Sequence, residues 1–149
     1  MAAAGITDLL IANQIVGAPK IARLIALLDQ ADVKIACDSI ANANSLGAAA
    51  AKAAKTLGIV IEVNTGMNRA GTEPGEATVA LAKHIAATPD IMVRGVMGWE
   101  AHTLAMPNQA EKAQAVAAAI AKLVATANAI RAAGIPCVIV SCGSTGSYP

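Results

Sequence analysis

The sequence predicts an α/β fold of alternating βα units with parallel strands. Three observations predict it. Five apolar, strand-like runs are separated by Ala-rich stretches with helical periodicity. Each run stops at polar or Gly-rich residues: Asn13-Gln14, Asp38-Ser39, Asn64-Thr65-Gly66-Met67-Asn68-Arg69, Gly98-Trp99-Glu100-Ala101-His102 and Ser141-Cys142-Gly143-Ser144-Thr145-Gly146. The alternation is strict, which favours parallel pairing with right-handed crossovers. In such folds the chemistry sits at the carboxyl ends of the strands.

Residues 6–12 form the first run, β-prone and mostly apolar, as a strand buried on both faces should be. Pro19 follows at a position that a helix start tolerates. Ile21, Leu24, Ile25 and Leu28 then repeat at the helical period through residue 30. Residues 33–37 are the second strand, after which Asp38 or Ser39 is placed to cap a helix running to residue 57. Gly58 is expected to end that helix, with residues 59–63 as the third strand. Thr72-Glu73-Pro74 opens the next helix, with Pro near its first turn, running to residue 87. The fourth strand covers residues 93–97. A long Ala-rich helix follows Met106-Pro107-Asn108 and ends at Gly134, before a fifth strand at residues 137–140.

The chain has 149 residues, 56% hydrophobic and 14% charged, enough for one core of Ala, Val, Ile and Leu. Its net charge of +1 carries no footprint for nucleic acid or an anionic membrane. Glu111, Lys112, Gln114, Lys122, Asn128 and Arg131 interrupt the most apolar helix, which reads as a helix of a soluble domain. Three cysteines, Cys37, Cys137 and Cys142, show no CxxC pattern and read as reduced thiols of a cytoplasmic protein. No basic segment precedes the first strand, so no signal peptide is expected. A (β/α)8 barrel needs eight βα units, typically about 250 residues. Four and a half units fit either an open five-stranded sheet or about five strands of such a barrel.

Several residues at the strand ends carry chemistry. The Ser141 to Gly146 string is small and polar after a buried strand, so its backbone N–H groups can converge on an anion. It is not a P-loop, because no Lys follows its last Gly. Arg69, between Gly66 and Gly71, is placed to direct its guanidinium at an oxyanion or to lie in a surface loop. Trp99 is the only Trp and has the character of a stacking platform or of a core residue. His102 is a candidate substrate contact or a member of a metal site, and His84 a solvated helix residue. Asn13, Gln14, Asp38 and Ser39 share the same rim, the last two equally suited to capping a helix. Cys142 has no evident base and reads as a packing residue. Two His without matching ligand spacing do not define a metal site, and none is expected within this chain.

Taken together, these strings resemble one family. Val63-Asn64-Thr65-Gly66-Met67-Asn68-Arg69-Ala70-Gly71 resembles the D-T/V-G-M-x-R-x-G motif of fold-type III pyridoxal-phosphate enzymes, the alanine racemase N-terminal-like barrels. Gly95-Val96-Met97-Gly98-Trp99-Glu100-Ala101-His102 is similar to the G-x-x-G-Y-E-G-H stretch of the D-threonine aldolase and D-serine dehydratase branch. Ser141 to Tyr148 resembles that branch's S-G-G-G-T-G-T-Y phosphate loop. Ile11-Ala12-Asn13-Gln14-Ile15-Val16-Gly17 also looks like this branch.

The resemblance implies a TIM-like barrel and a pyridoxal-phosphate cofactor. It implies that Arg69 contacts the cofactor's phenolic oxygen and that position 99 covers one ring face, here with Trp where the branch has Tyr. It implies that Ser141, Gly143, Ser144, Thr145, Gly146 and Tyr148 hold the phosphate, with Cys142 and Ser144 standing where the branch has Gly. Asn13, Gln14 and His102 would face a small D-amino acid.

The family's cofactor-bearing Lys lies at the end of the first barrel strand, and this chain resembles the family from the third strand onward. Of the seven Lys, all but Lys34 fall on predicted helices, and Lys34 enters its strand at the amino end. Complete relatives bind a divalent metal through a C-terminal β domain, whose ligands this chain lacks. The resemblance therefore implies that residues 1–149 are a partial barrel domain of a D-amino-acid lyase, with no catalytic Lys and no working site of their own. Alternatives are a non-catalytic pyridoxal-phosphate carrier and a remnant without ligand function. A homodimer, or a partner that supplies the missing segments, fits the same reading.

Overall fold

The computed structural model describes residues 1–147. After a short 3-10 turn at Ala2–Ala4, the elements alternate: β1 (Asp8–Gln14), α1 (Ala18–Leu27), β2 (Asp32–Cys37), α2 (Ile40–Lys52), β3 (Leu57–Glu62), α3 (Glu76–Ala87), β4 (Ile91–Met97), α4 (Gln109–Ala132) and β5 (Ile139–Ser141). A second 3-10 turn, Ala101–Thr103, lies between β4 and α4. All strand pairs are parallel, and the order across the sheet is β1-β2-β3-β4-β5. Sequential order decides between the two expected architectures. Right-handed crossovers that always step in the same direction put every helix on one face and curl the sheet into part of a barrel.

The two faces differ accordingly. On the helix-covered face Val33, Ile35, Cys37, Ile59, Ile61 and Val63 pack with Leu24, Leu46, Leu81, Ile85, Leu123 and Ile130. On the inner face Ala36, Val60, Met97 and Ile139 form a smaller cluster. The long helix α4 is apolar enough by length and composition to cross a membrane, yet it lies on the sheet with Ala119, Leu123, Ala127 and Ile130 buried.

Several predicted boundaries shift. Gly58 does not end α2. It lies inside β3, where a Cβ would come within 2.9 Å of the Arg94 side chain and 3.1 Å of that of Lys34. The chain leaves the α2 region through Ala54, at φ 51, and so reaches β3 two residues early. Pro74 lies before α3 rather than in its first turn, because Gly75 takes the N-cap position. Between Ser39 and Asp38 the cap falls to Ser39, whose Oγ accepts from the Asn42 N–H at 3.3 Å. β5 is shorter than predicted and is paired only over Ile139–Ser141. The fit there is tight. A Cβ on Gly95 would lie 2.0 Å from the Ile139 carbonyl oxygen, so only Gly lets β4 and β5 approach.

The amino end of the sheet holds an ion cluster. Lys34 is buried and donates to Asp8 at 2.6 Å and Asp32 at 2.7 Å. Burial alone would lower its pKa, but the hydrogen bonds and charges of Asp32 and Asp8 outweigh this and raise it above the ordinary 10.5.

Candidate functional site

The polar strand ends all lie at the carboxyl rim, as parallel pairing requires. The loop after β3 is the most organised. It closes at its base through Asn64 N–H to Thr72 O (2.8 Å) and Thr72 N–H to Glu62 O (2.9 Å). Inside it, the Asn64 Oδ1 accepts from the N–H groups of Gly66 (3.2 Å) and Asn68 (3.0 Å). The Asn64 Nδ2 donates to Asn68 Oδ1 (2.8 Å) and Glu73 Oε1 (3.0 Å). Asp38, at the end of β2, accepts from the Gly71 N–H at 3.1 Å and ties the loop to the neighbouring strand. Gly71 has φ +97, and a Cβ there would meet the backbone of Val63 and Asn64 at 2.7 Å. These bonds present Arg69.

The Arg69 guanidinium carbon lies 4.9 Å from the centroid of the Trp99 ring, a cation–π contact. Trp99 is therefore not a core residue; it is about one-third exposed at the rim. Arg69, Trp99, Ser141, Cys142 and Gly143 line one cavity of about 220 Å³, with Glu62, Met97 and Ala12 at its inner side. A larger groove of about 720 Å³ lies between α1 and α2, on the outer helical face. Its floor is Ala and Ile, away from the rim, so size does not mark the site here.

The Ser141–Ser147 segment divides its residues between two spaces. Ser141 faces the Arg69 cavity, whereas Ser144 and Ser147 line a cavity of about 440 Å³ toward Val116 and Ile120 of α4, and Cys142 and Gly143 border both. The segment's donors are partly taken. Gly143 N–H donates to Glu100 Oε2 at 3.2 Å and Ser144 N–H to Ser147 Oγ at 2.9 Å. Ser147 Oγ also donates to Glu100 Oε1. Ser147 N–H closes a turn onto Ser144 O at 3.1 Å. Thr145 and Gly146 N–H have no acceptor among the described residues. Lys112 Nζ, from α4, reaches the Gly146 carbonyl at 2.5 Å. Tyr148 lies outside the described residues.

The expected substrate-facing residues separate. Gln14 joins the inner rim, donating its amide to Glu62 Oε2. Asn13 is exposed, and its amide bonds to the neighbouring Gln14 carbonyl at 3.2 Å. His102 is exposed and packs over the Arg69 loop, with its ring 2.8 Å from where a Gly66 Cβ would stand. Partial desolvation, and then the nearby Glu100 charge, push the Cys142 thiol up, but the residue is exposed, so it is not the packing residue the sequence suggested. Lys34 is at the amino end, as expected. Lys55 is not helical; it lies between α2 and β3 and pairs with Asp29 at 2.7 Å. No group of three His, Cys, Asp or Glu side chains able to hold a metal occurs among the described residues.

The sequence reading missed three contributors. Glu100 and Lys112 act on a loop many residues away in the chain, and no local pattern announces either contact. Glu62 was discernible as a lone carboxylate at the end of an apolar strand, but its burial was not.

Curled parallel βα units with an Arg–Trp pair and a Ser/Gly loop at the carboxyl rim define part of a βα-barrel domain. Residues 2–148 match the family described as alanine racemase, N-terminal domain, and the chain belongs to that family. It is 34% identical over 145 residues to a 3-hydroxy-D-aspartate aldolase of Paracoccus denitrificans (strain Pd 1222), covering 97% of this chain and 38% of the relative. Among solved structures it resembles the D-threonine aldolase of Filomicrobium marinum, with a TM-score of 0.94 and 31% identity, covering 99% of this chain and 40% of that one. It also resembles the D-threo-3-hydroxyaspartate dehydratase of Delftia sp. HT23, with a TM-score of 0.84 and 27% identity, covering 97% and 38%. The chain thus spans about two fifths of the length of these relatives.

Proposed function

We propose that residues 1–149 are the cofactor-binding segment of a pyridoxal-phosphate-dependent D-amino-acid lyase, of the D-threonine aldolase or D-serine dehydratase kind. One observation carries this reading. Arg69, Trp99 and the end of β5 surround a single cavity at the rim where a βα barrel does its chemistry. The donor set fits the cofactor in part. Arg69 supplies a cation for an oxyanion and Trp99 a flat face for a ring. The N–H groups of Thr145 and Gly146, with the Ser144 and Thr145 hydroxyls, supply donors for a phosphate. Lys112 adds a positive charge beside that loop.

The bound cofactor would supply an electron sink for cleavage of a bond at the substrate Cα. This chain's residues would bind it, orient its ring and shield one face. Lys34, tied to Asp8 and Asp32 at the far end of the strands, cannot tether it. The tether, the metal ligands of complete relatives and the remaining strands would come from further sequence or a partner chain. A D-amino acid is the substrate class, and Gln14, bonded to the cavity-lining Glu62, and His102, beside Gly66 of the Arg69 loop, are the candidates to meet it. Three free thiols suit a cytoplasmic setting.

The test is titration of the chain with pyridoxal phosphate, followed through the fluorescence of Trp99, with a crystal structure of the loaded protein. Saturable quenching and a phosphate against Thr145 and Gly146 are expected. Only linear, non-saturating quenching would refute the reading.

A further inference from the structure

Glu100 is the least exposed charged residue in the described structure, at 1%. Burying a carboxylate is costly unless donors meet it. Its position is fixed from the backbone side, because Thr103, itself fully buried, donates its N–H (2.9 Å) and Oγ (2.8 Å) to the Glu100 carbonyl. Its carboxylate then reaches across to the segment after β5. Oε2 takes the Gly143 N–H and Oε1 the Ser147 hydroxyl, bonds to an ionised acceptor and so among the stronger kind. The Ser147 oxygen in turn accepts the Ser144 N–H, and Lys112 of α4 donates to the Gly146 carbonyl. Two consecutive N–H groups at the tip, those of Thr145 and Gly146, are left without a protein acceptor among the described residues. Successive backbone N–H groups held in a turn make an anion-binding concavity.

We propose that Glu100 is a positioning residue for the anion site. By occupying the Gly143 N–H and the Ser147 hydroxyl it closes the turn and leaves the Thr145 and Gly146 N–H groups to receive a phosphate. The proposal rests on the cofactor-binding reading above and assigns within it the residue that shapes the phosphate loop. A carboxylate in this role is counter-intuitive, since its charge opposes a phosphate. The geometry resolves this, because Glu100 engages the base of the turn rather than its tip.

The test compares the wild-type chain with Glu100→Ala and Glu100→Gln. Hydrogen–deuterium exchange of peptides covering Ser141–Ser147 reads the loop. Binding of inorganic phosphate by ³¹P NMR, and of pyridoxal phosphate by Trp99 fluorescence, reads the site. Glu100→Ala should speed exchange of that peptide and weaken phosphate binding about tenfold, as loss of a charge-assisted hydrogen bond implies. Glu100→Gln keeps an acceptor for Gly143 and a donor for Ser147, so both properties should stay within about threefold of wild type. If the alanine variant does not fold, Ser147→Ala removes one of the two bonds and should give the same changes in smaller degree. Unchanged exchange in these variants, or tighter phosphate binding by both Glu100 variants, overturns the proposal, the latter making Glu100 a competing charge. A wild-type chain that protects this peptide yet binds neither probe refutes the cofactor reading instead, and with it any purpose in an anion site.

Discussion

The guanidinium of Arg69 and the indole of Trp99 meet at 4.9 Å, although one sits after β3 and the other after β4. Each holds the other at the rim. The contact is worth about 0.5–1 kcal/mol at a partly exposed site. Because Trp99 is the only Trp, its emission reads this contact directly. Arg69→Ala should shift Trp99 emission and weaken pyridoxal phosphate binding. Arg69→Lys should restore less than half of the binding loss, since an ammonium lacks the planar fork. Wild-type emission and affinity in Arg69→Ala would show that the pair is incidental.

Asn64 makes four hydrogen bonds that shape the loop presenting Arg69. Asn64→Ala should cost about 2 kcal/mol, because several modest bonds are lost together. Asn64→Asp keeps both acceptor bonds but sets a second carboxylate against Glu73, so it should fall between. Thermal denaturation ranks the three proteins, and equal melting temperatures would show that the loop holds without this side chain.

Gly95 is where β4 receives β5. Gly95→Ala drives a methyl group into the Ile139 carbonyl and should destabilise by about 3 kcal/mol, roughly 10 °C in melting temperature. Amide exchange across Ile139–Ser147 should rise with it. A melting temperature within a degree of wild type would mean that β5 is not docked as described.

Lys34 gives a pH signature. Its folded pKa is raised above 10.5, so its stabilisation is complete below that pH and is lost as pH rises through the folded value. Urea midpoints of the wild type and Lys34→Met should differ at neutral pH and converge in strongly alkaline solution. Replacing both Asp8 and Asp32 by Asn should cost more than Lys34→Met, because it leaves the buried ammonium unpaired. A wild-type-to-Met difference that is constant with pH would contradict the ion cluster.

The chain alone should not form one defined covalent adduct with pyridoxal phosphate. Borohydride treatment followed by peptide mapping should show scattered, substoichiometric labelling of exposed Lys. Lys112, close to the Ser/Gly loop, is the informative exception to watch. Stoichiometric labelling there, with turnover of D-threonine or D-serine, would show a complete site in this chain.

Much of the architecture was legible because its signals are local. Helical periodicity and β-prone runs located the five strands and four α-helices but not the two 3-10 turns, and the strand ends located the rim. Boundaries failed where a local rule had two uses. Gly58 looked like a helix stop and is instead a strand position too crowded for a side chain, whereas Ala54 took the left-handed turn without a Gly to mark it. The Arg69–Trp99 rim was legible from strand ends and family strings. The link from Glu100 to Gly143 was not, since it joins residues 43 positions apart through a buried side chain.

The sequential strand order has a consequence for how the chain acquires its structure. Every strand pairs only with the strand before or after it in sequence. Each pairing therefore closes a loop of a single βα unit, and the entropy of loop closure stays small. Assembly can start at any adjacent pair and extend in both directions, including behind a ribosome. Protection should then be graded, highest at the doubly paired β2, β3 and β4 and lower at β1 and β5. The Ser/Gly loop hangs on β5, so it would be the first part of the rim to be released.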